Sequence, residues 1–325
     1  MSLIPWMTMA AASVAVDYMN PIPQPGEPGY TAHPRHHLRF LMENDSAFGS
    51  DCNYTHATRI DYAQNLAKMP EHAFGLSLTQ NIYTPATHTR HAVSGEHPYA
   101  GYLALGVAHL YTGECVGSSV EFQLGTTGKA SLAFDAQDLI HKTCGIERWE
   151  GWDDQIPAEV TFQLTARQDY RLPWFETTTP GGWQTDATFF TREELGTVSI
   201  AAETGAYFRL GRNLPPGMQL VGNSAGNFGV GLLRKNDYDP TATSWYVRAG
   251  GSVKYVARDL FIDGGVFHDF DRTCGRQPWV GEAQLGFGLR HRGIDYYAGM
   301  VARTRNFRSQ HDDTVFGTFN FAFHW

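Results

Sequence analysis

From Arg35 onward the chain alternates apolar and polar residues with a period of two. In AEVTFQLTAR, residues 158–167, Val160, Phe162, Leu164 and Ala166 share one face, and Glu159, Thr161, Gln163, Thr165 and Arg167 share the other. That is how a strand with one apolar side is written. In GTVSIAAETGAYFRLG, residues 196–211, Val198, Ile200, Ala202, Ala206, Phe208 and Leu210 oppose Ser199, Glu203, Tyr207 and Arg209. The same alternation recurs in SWYVRAGGSVKYVA, VGEAQLGFGLRHR, IDYYAGMVARTR and TVFGTFNFAFHW.

The pattern predicts strands near 36–43, 55–65, 73–83, 99–111, 115–125, 158–171, 184–210 (one bent strand or two), 244–257, 259–270, 279–292, 294–306 and 314–325. Most run roughly 9 to 14 residues, longer than strands of soluble sheets and about what a tilted strand needs to cross a bilayer. About twelve strands suit an all-β, antiparallel up-and-down barrel. Tight connections at 112–114 and 292–293 contrast with long polar ones at 84–98 and 211–243. Short turns at one end and long loops at the other is the transmembrane β-barrel arrangement. The chain ends with Phe319, Phe321, Phe323 and Trp325 on one face. This resembles the C-terminal assembly signal of bacterial outer-membrane proteins, although such a strand would equally close a soluble barrel or sandwich.

One segment breaks the period. LAFDAQDLIHKTC, residues 132–144, places Phe134, Ala136, Leu139 and Ile140 at helical spacing and is followed by Gly145, the residue expected just past a helix C-terminus. A short helix inside an extracellular loop is therefore expected.

Composition agrees with this picture. Only 18% of the residues are charged and 13% are aromatic, with 34 glycines, and the mean hydropathy is -0.33. No run of eighteen apolar residues exists, which excludes a membrane-spanning helix but not a spanning barrel. A net charge of -8, with 25 Lys and Arg forming no cluster, gives no basis for a nucleic-acid partner. The four cysteines, Cys52, Cys115, Cys144 and Cys274, form no metal-finger pattern; a Cys52–Cys144 bridge requires their two loops to meet. MSLIPWMTMAAASVAV resembles the apolar part of an export signal without a basic n-region, and residues 17–34 hold five prolines. Residues 1–34 thus read as a signal or disordered lead-in, and 35–325 as a single barrel expected to act as a monomer.

The chemistry concentrates in two places. Gln137 and His141 are four residues apart on the expected helix, a spacing that lets the amide orient the imidazole. Because Gly145 ends the helix, the chain can fold back and bring Glu147 near the ring. A histidine so held is what a general base requires, although in a chain with 14 histidines a surface role is the commoner one. In ENDSAFGSDCNYT, residues 43–55, Asn44 and Asp45 end the first strand and Thr55 begins the second. Ser46, Gly49, Ser50 and Asp51 read as ordinary turn residues. Oxygen donors converging at a strand end suit Ca²⁺, which would stabilise an oxyanion while His141 deprotonates water. The loops after strands one and five fall at the same end of the barrel, so contact is allowed.

ENDSAF followed by NYTHATRIDY, then QNIYTP and AQDLIHKTCGIERWEGWDDQI, resembles the lipid A 3'-O-deacylases, a family of twelve-stranded outer-membrane barrels. The resemblance is carried by residues 37–160. It implies an outer-membrane ester hydrolase that cleaves the 3'-O-linked acyloxyacyl group of lipid A in lipopolysaccharide. It further implies that Asn44 and Asp45 are the active-site pair, Thr55 the strand-two hydroxyl, His141 the base, Glu147 its acidic partner and Gln137 a supporting amide. Asn44, Asp45 and Glu147 would hold a divalent cation, Ca²⁺. Where the family places a Lys in the loop after QNIYTP, this chain has Arg90, which keeps the charge for a lipid A phosphate. Two other readings stay open on sequence: a pore or lipid-binding barrel without catalysis, and a soluble periplasmic β-barrel. Gly250, Gly286, Gly288 and Gly299 are compatible with interior space, whereas Arg167, Arg209, Arg248, Arg290 and Arg303 would face the same interior and fill it.

Overall fold

The computed structural model describes residues 36–46, 52–66, 69–91, 93–113, 115–145, 149–215, 228, 242–268 and 274–324. Twelve long strands form the wall: β1 (His36–Asn44), β2 (Asn53–Leu66), β3 (Met69–Thr84), β4 (Ala100–Thr112), β5 (Val116–Thr127) and β6 (Val160–Arg171), then β7 (Gln184–Gly196), β8 (Ser199–Arg212), β9 (Ser244–Asp259), β10 (Trp279–His291), β11 (Ile294–Arg303) and β12 (Thr314–His324). Each pairs antiparallel with its sequence neighbour, and β6 joins β7 from Gln163↔Gly196 to Arg171↔Thr188. The ring closes between β1 and β12, from His37↔His324 to Asn44↔Gly317. A two-residue strand, Thr177–Thr178, only extends the start of β7. No helix among the described residues is long and apolar enough to cross a membrane.

Alternation decides which side chains meet lipid and which meet the lumen. Leu105, Val107, Phe122, Leu124, Phe162 and Phe321 project outward and are exposed. Trp183 against Trp245 (5.2 Å) and Tyr255 against Trp279 (5.0 Å) mark the two edges of this apolar surface. The ten residue steps from Trp245 to Tyr255 along β9 cover about 33 Å of strand at ~3.3 Å per residue. At a tilt near 40° this projects to about 25 Å, the height of a transmembrane apolar band.

The lumen is filled rather than open. Arg39 Nε donates to Asp61 (2.7 Å), Arg59 Nε to Asp61 (2.6 Å) and Arg59 Nη2 to Glu121 (3.0 Å), and Gln123 Nε2 donates to Glu121 as well (3.0 Å). Arg167 pairs with Asp169 (2.7 Å), Arg209 with Asp186, Arg290 with Asp295, Arg303 with Glu282 (2.6 Å) and Lys254 with Glu194 (3.0 Å). Charges inside a spanning barrel persist when paired in this way. The interior glycines do not leave space either: Tyr207 lies against Gly250, Tyr297 against Gly286 and Gly299, and Tyr246 against Gly288. Arg248 sits 3.7 Å over the Tyr207 ring. A cavity of about 190 Å³ lies among these groups, lined among others by Tyr54, His97, Arg192, Glu194, Phe261 and Glu282.

One open alternative about connectivity is decided and two expectations change. The 184–210 run is two strands separated by a tight turn at Thr197, whose hydroxyl bonds to Phe162 on β6. Of the strand expected at 259–270, the described residues 260–268 are not strand. Asp259 accepts a hydrogen bond from Phe261 N–H (2.9 Å), capping the four-residue helix α2 (Leu260–Asp263), and Gly264 ends it at φ 103°. The two differences cancel, so the count of twelve survives. Finally, because each strand crosses the wall, the long connection between β8 and β9 lies at the same end as the tight turns and both chain termini. Within it, Phe228 packs inside the barrel against Ala63, Ala73 and Ala108 and under Arg59 (5.0 Å).

Candidate active site

The helix expected within 132–144 is α1 (Ala133–Cys144), entered through Leu132 at φ 57° and closed by Gly145 at φ 70°, whose N–H donates to His141 O. Its position follows from strand parity. Phe74, Leu76 and Leu78 of β3 point outward and are exposed; Gln80 and Ile82 have the same parity, yet Ile82 is fully buried. What covers them is the segment leading into α1 and the loop after it. Gln80 Nε2 donates to Ser131 O (2.9 Å), and Ile82 clusters with Tyr99, Ala133 and Trp152. Gly101 lets α1 approach, since a Cβ there would run into Ser131 Oγ and Ala133 Cβ. The helix therefore lies on the outer, lipid-facing side of the wall.

The polar end of β1 and β2 is on the same side. Asn44 shares the outward parity of exposed Phe40 and Met42, and its Nδ2 donates to Thr55 O (3.2 Å) and to His56 Nδ1 (3.4 Å). His56 then presents Nε2–H to Thr58 Oγ1 (2.8 Å), so one tautomer satisfies both contacts. The register between β2 and β3 shifts at Tyr54/His56. With Tyr54 turned into the lumen against Glu43, this bulge re-aims Thr55, whose hydroxyl meets that of Thr84 at the end of β3 (2.6 Å). Asp45 is fully buried; its N–H donates to Thr55 O (3.3 Å) and its Oδ2 accepts from Cys52 N–H (2.9 Å).

Asn44, Asp45 and Thr55 are thus brought together, as are Gln137 and His141 on one buried face of α1. The two sets share the outer rim of β1–β4, joined through Thr84 and Ile82 at the end of β3. Among the described residues, no hydrogen bond of Asn44 or Thr55 reaches α1. Glu147 lies outside the described residues. Arg90 is exposed in the loop between β3 and β4. That loop is stapled to the segment after α1: His88, at φ 52°, stacks on Trp149 at 3.6 Å, and Trp149 meets the His141 ring edge-on at 5.1 Å. Asn53, His88 and Leu132 are three of the five described non-glycine residues at positive φ, and all three flank this rim, where backbone strain commonly accompanies function.

Several expectations need correcting. Gln137 makes no hydrogen bond to His141: its Oε1 accepts from Trp152 Nε1–H at 2.6 Å and its Nε2 has no hydrogen-bond partner among the described residues. Ser46 is more than a turn residue: its N–H (2.9 Å) and hydroxyl both donate to Asn44 Oδ1 and fix that amide. The side chain of Cys144 lies outside the described residues, and with it the expected Cys52–Cys144 bridge. His56, Thr84, Trp149 and Trp152 were not anticipated. Their signal was legible in part, since Asn44, His56, Thr58 and Gln80 are polar at outward positions where a lipid-facing strand requires apolar residues.

The donors available for a cation are hard oxygens: the Asp45 carboxylate, the Asn44 amide and the Thr55 carbonyl. They fit Ca²⁺ in kind. Asn44 Oδ1 already accepts two hydrogen bonds from Ser46, Thr55 O accepts two from Asn44 Nδ2 and Asp45 N–H, and Asp45 Oδ2 accepts one from Cys52 N–H, so a cation would displace some of these donors. Among the described residues no three His, Cys, Asp or Glu side chains gather around one point, so amide, carbonyl and water oxygens would complete the shell. None of the site residues lines the lumenal cavity, which belongs to a different compartment.

A closed, ion-paired barrel with an apolar outer belt and a polar cluster on the outer side of its wall has the architecture of an outer-membrane protein. The sequence matches the family Outer membrane protein LpxR over residues 3–325, and the chain belongs to that family. Among solved structures, LpxR from Salmonella typhimurium is similar over 89% of this chain and 100% of that one, with 17% identity and a TM-score of 0.72, which establishes the shared fold. The β domain of the Bordetella autotransporter Brka (11% identity, TM-score 0.44, covering 90% of this chain and 99% of that one) is more distant and carries no argument. No curated protein sequence matches.

Proposed function

We propose that this protein is a lipid A deacylase that hydrolyses the 3'-O-linked acyloxyacyl ester of lipid A at the outer leaflet. The observation that carries the reading is the placement of the polar cluster: α1 packs on the outside of the wall, so an ester held in the membrane reaches Asn44, Thr55 and His141 laterally. The filled lumen speaks against a pore, and the exposed apolar wall against a soluble barrel. The 3' position rests on the motif resemblance in residues 37–160.

In this reading neutral His141 takes a proton from water, whose oxygen adds to the ester carbonyl carbon as the carbonyl electrons move onto oxygen. The tetrahedral species collapses with cleavage of the acyl C–O bond, and the leaving alkoxide takes the proton back from His141. Trp149, edge-on to the imidazole, limits its rotation. Asn44, fixed by Ser46 and His56, and buried Asp45 form the polar side of the site. A divalent cation held by Asp45 and Asn44 would supply positive charge beside the developing oxyanion. Arg90, exposed near the mouth, offers two parallel N–H donors to a lipid A phosphate.

The test is mass spectrometry of lipid A after expression in a bacterium with an intact outer membrane. The wild-type chain should remove one 3'-linked acyloxyacyl group. His141→Ala and Asp45→Ala should abolish the loss while the barrel keeps its heat-modifiable migration. Acyl release by either variant at the wild-type rate refutes the assignment.

A further inference from the structure

Gln137 presents a buried donor that the fold itself does not use. An indole N–H can only donate, so the 2.6 Å contact with Trp152 fixes which end of the Gln137 amide faces it: Oε1 is held and Nε2 is turned away. Gln137 is 5% exposed and Trp152 4%, so neither end exchanges freely with solvent. Gln137 Nε2 has no hydrogen-bond partner among the described residues. A buried donor without an acceptor is unfavourable. Some buried polar atoms of this kind, such as Thr161 Oγ1 and Asn320 Nδ2, line the polar lumen, and others, such as Gln155 Oε1 in the loop after α1, lie outside the wall; Gln137 Nε2 differs in being a donor on the same helical face as His141.

We propose that the Gln137 side-chain N–H donates to the ester carbonyl oxygen as it becomes an oxyanion, and that Trp152 is the positioning residue that aims it. The proposal rests on the hydrolase reading above. Gln137 and His141 stand four residues apart on one buried helical face, with Cβ atoms about 5–6 Å from each other. That span accommodates a water oxygen held by the imidazole and, beyond it, a carbonyl whose oxygen meets the amide. An oxyanion donor must lie ~2.7–3.1 Å from the oxygen and be oriented before the reaction begins. A locked amide on the helix that carries the base satisfies the second requirement without reorganisation, since ring, amide and imidazole move together.

The experiment uses the purified full-length barrel in detergent micelles, with lipid A as substrate, and measures kcat, KM and the pH profile. Gln137→Glu keeps the oxygen that Trp152 needs but replaces the donor with a carboxylate oxygen, and Gln137→Met removes the donor outright. Both should lower kcat by about 100-fold and leave KM within about twofold, with the acid limb of the pH profile unmoved. Trp152→Phe, which frees the amide to turn over, should lower kcat by about tenfold. A phosphonate analogue of the tetrahedral species should bind Gln137→Met more weakly by the same factor that kcat falls. Heat-modifiable migration reports folding of each variant. A kcat for Gln137→Met within about threefold of wild type overturns the proposal, as does a shifted acid limb with an unchanged plateau, which would make the amide a modulator of the base. A wild-type barrel that releases no acyl chain overturns the hydrolase reading and this proposal together; normal wild-type turnover with unaffected variants overturns this proposal alone.

Discussion

Gly101 offers the sharpest test of the claim that α1 must lie flush on the outer wall. An added Cβ at this position would press into Ser131 Oγ and Ala133 Cβ before any atom of a barrel strand. Restoring a carbon–carbon separation of ~3.5–4.0 Å requires the start of α1 to lift by on the order of 1 Å. Overpacking of this kind typically costs about 1–3 kcal/mol. The strain falls on the helix rather than the barrel, because the β3–β4 ladder runs unbroken through Ile82↔Gly101 and the β4–β5 ladder is continuous from Tyr102 onward. A displacement near 1 Å at a catalytic group costs about 100-fold in rate. Gly101→Ala is therefore expected to lower lipid A deacylation by one to two orders of magnitude while the barrel stays heat-modifiable, and to raise trypsin cleavage at Lys129 and Lys142. Gly106→Ala on the same strand is the control. Its Cβ would meet Ser77 and Glu121 in the lumen, so it should lower stability without a specific loss of turnover. Wild-type turnover by Gly101→Ala, with α1 no more accessible to trypsin, refutes the reasoning.

Glu121→Ala leaves Arg59 buried without one of its two carboxylate partners; the expected cost is about 3–5 kcal/mol, read as a lower urea midpoint of the folded barrel in micelles. His97, in the loop between β3 and β4, stacks on Tyr83 at 5.0 Å; burial lowers its pKa from 6.5 to about 4, opposed only in part by the hydrogen bond to Pro98 O. Between those values the unfolded chain binds more protons, so this contribution is full above pH 6.5 and is lost as the pH falls toward 4, by on the order of 3 kcal/mol. His97→Phe should accordingly reduce the drop in unfolding temperature between pH 7 and pH 4.5; an equal drop in both proteins contradicts the assignment. Cys115 is exposed, whereas the Cys274 thiol is buried, donates to Glu96 O (2.8 Å) and has its pKa pushed up to about 11 by burial. A maleimide at pH 7.5 should therefore label Cys115 rapidly and Cys274 only after unfolding.

The sequence by itself determined the wall. Alternation at period two depends only on neighbours along the strand, so β1 through β6 and β9 through β12 were legible where the lipid-facing positions are Leu, Val and Phe. The helix was equally legible, because its periodicity and Gly145 are local signals. Runs failed where a local pattern was ambiguous: Leu260 and Ile262 alternate like strand residues, and only the Asp259 cap and burial beneath the loops make them helical.

Tertiary structure alone decided which side of the wall the site occupies. Asn44 and Asp45 could have faced either compartment until the register of β1 and β2 and the bulge at Thr55 were set by pairing across three strands. Ile82 reads as one more lipid-facing residue until α1 is seen to cover it. The partner of Gln137 was not legible either: His141 is nearer in sequence, but Trp152, fifteen positions away, takes the amide oxygen because the loop after α1 returns across the helix. Strand periodicity is a property of consecutive residues, whereas the side of a membrane wall on which polar groups converge depends on contacts between segments far apart in the chain.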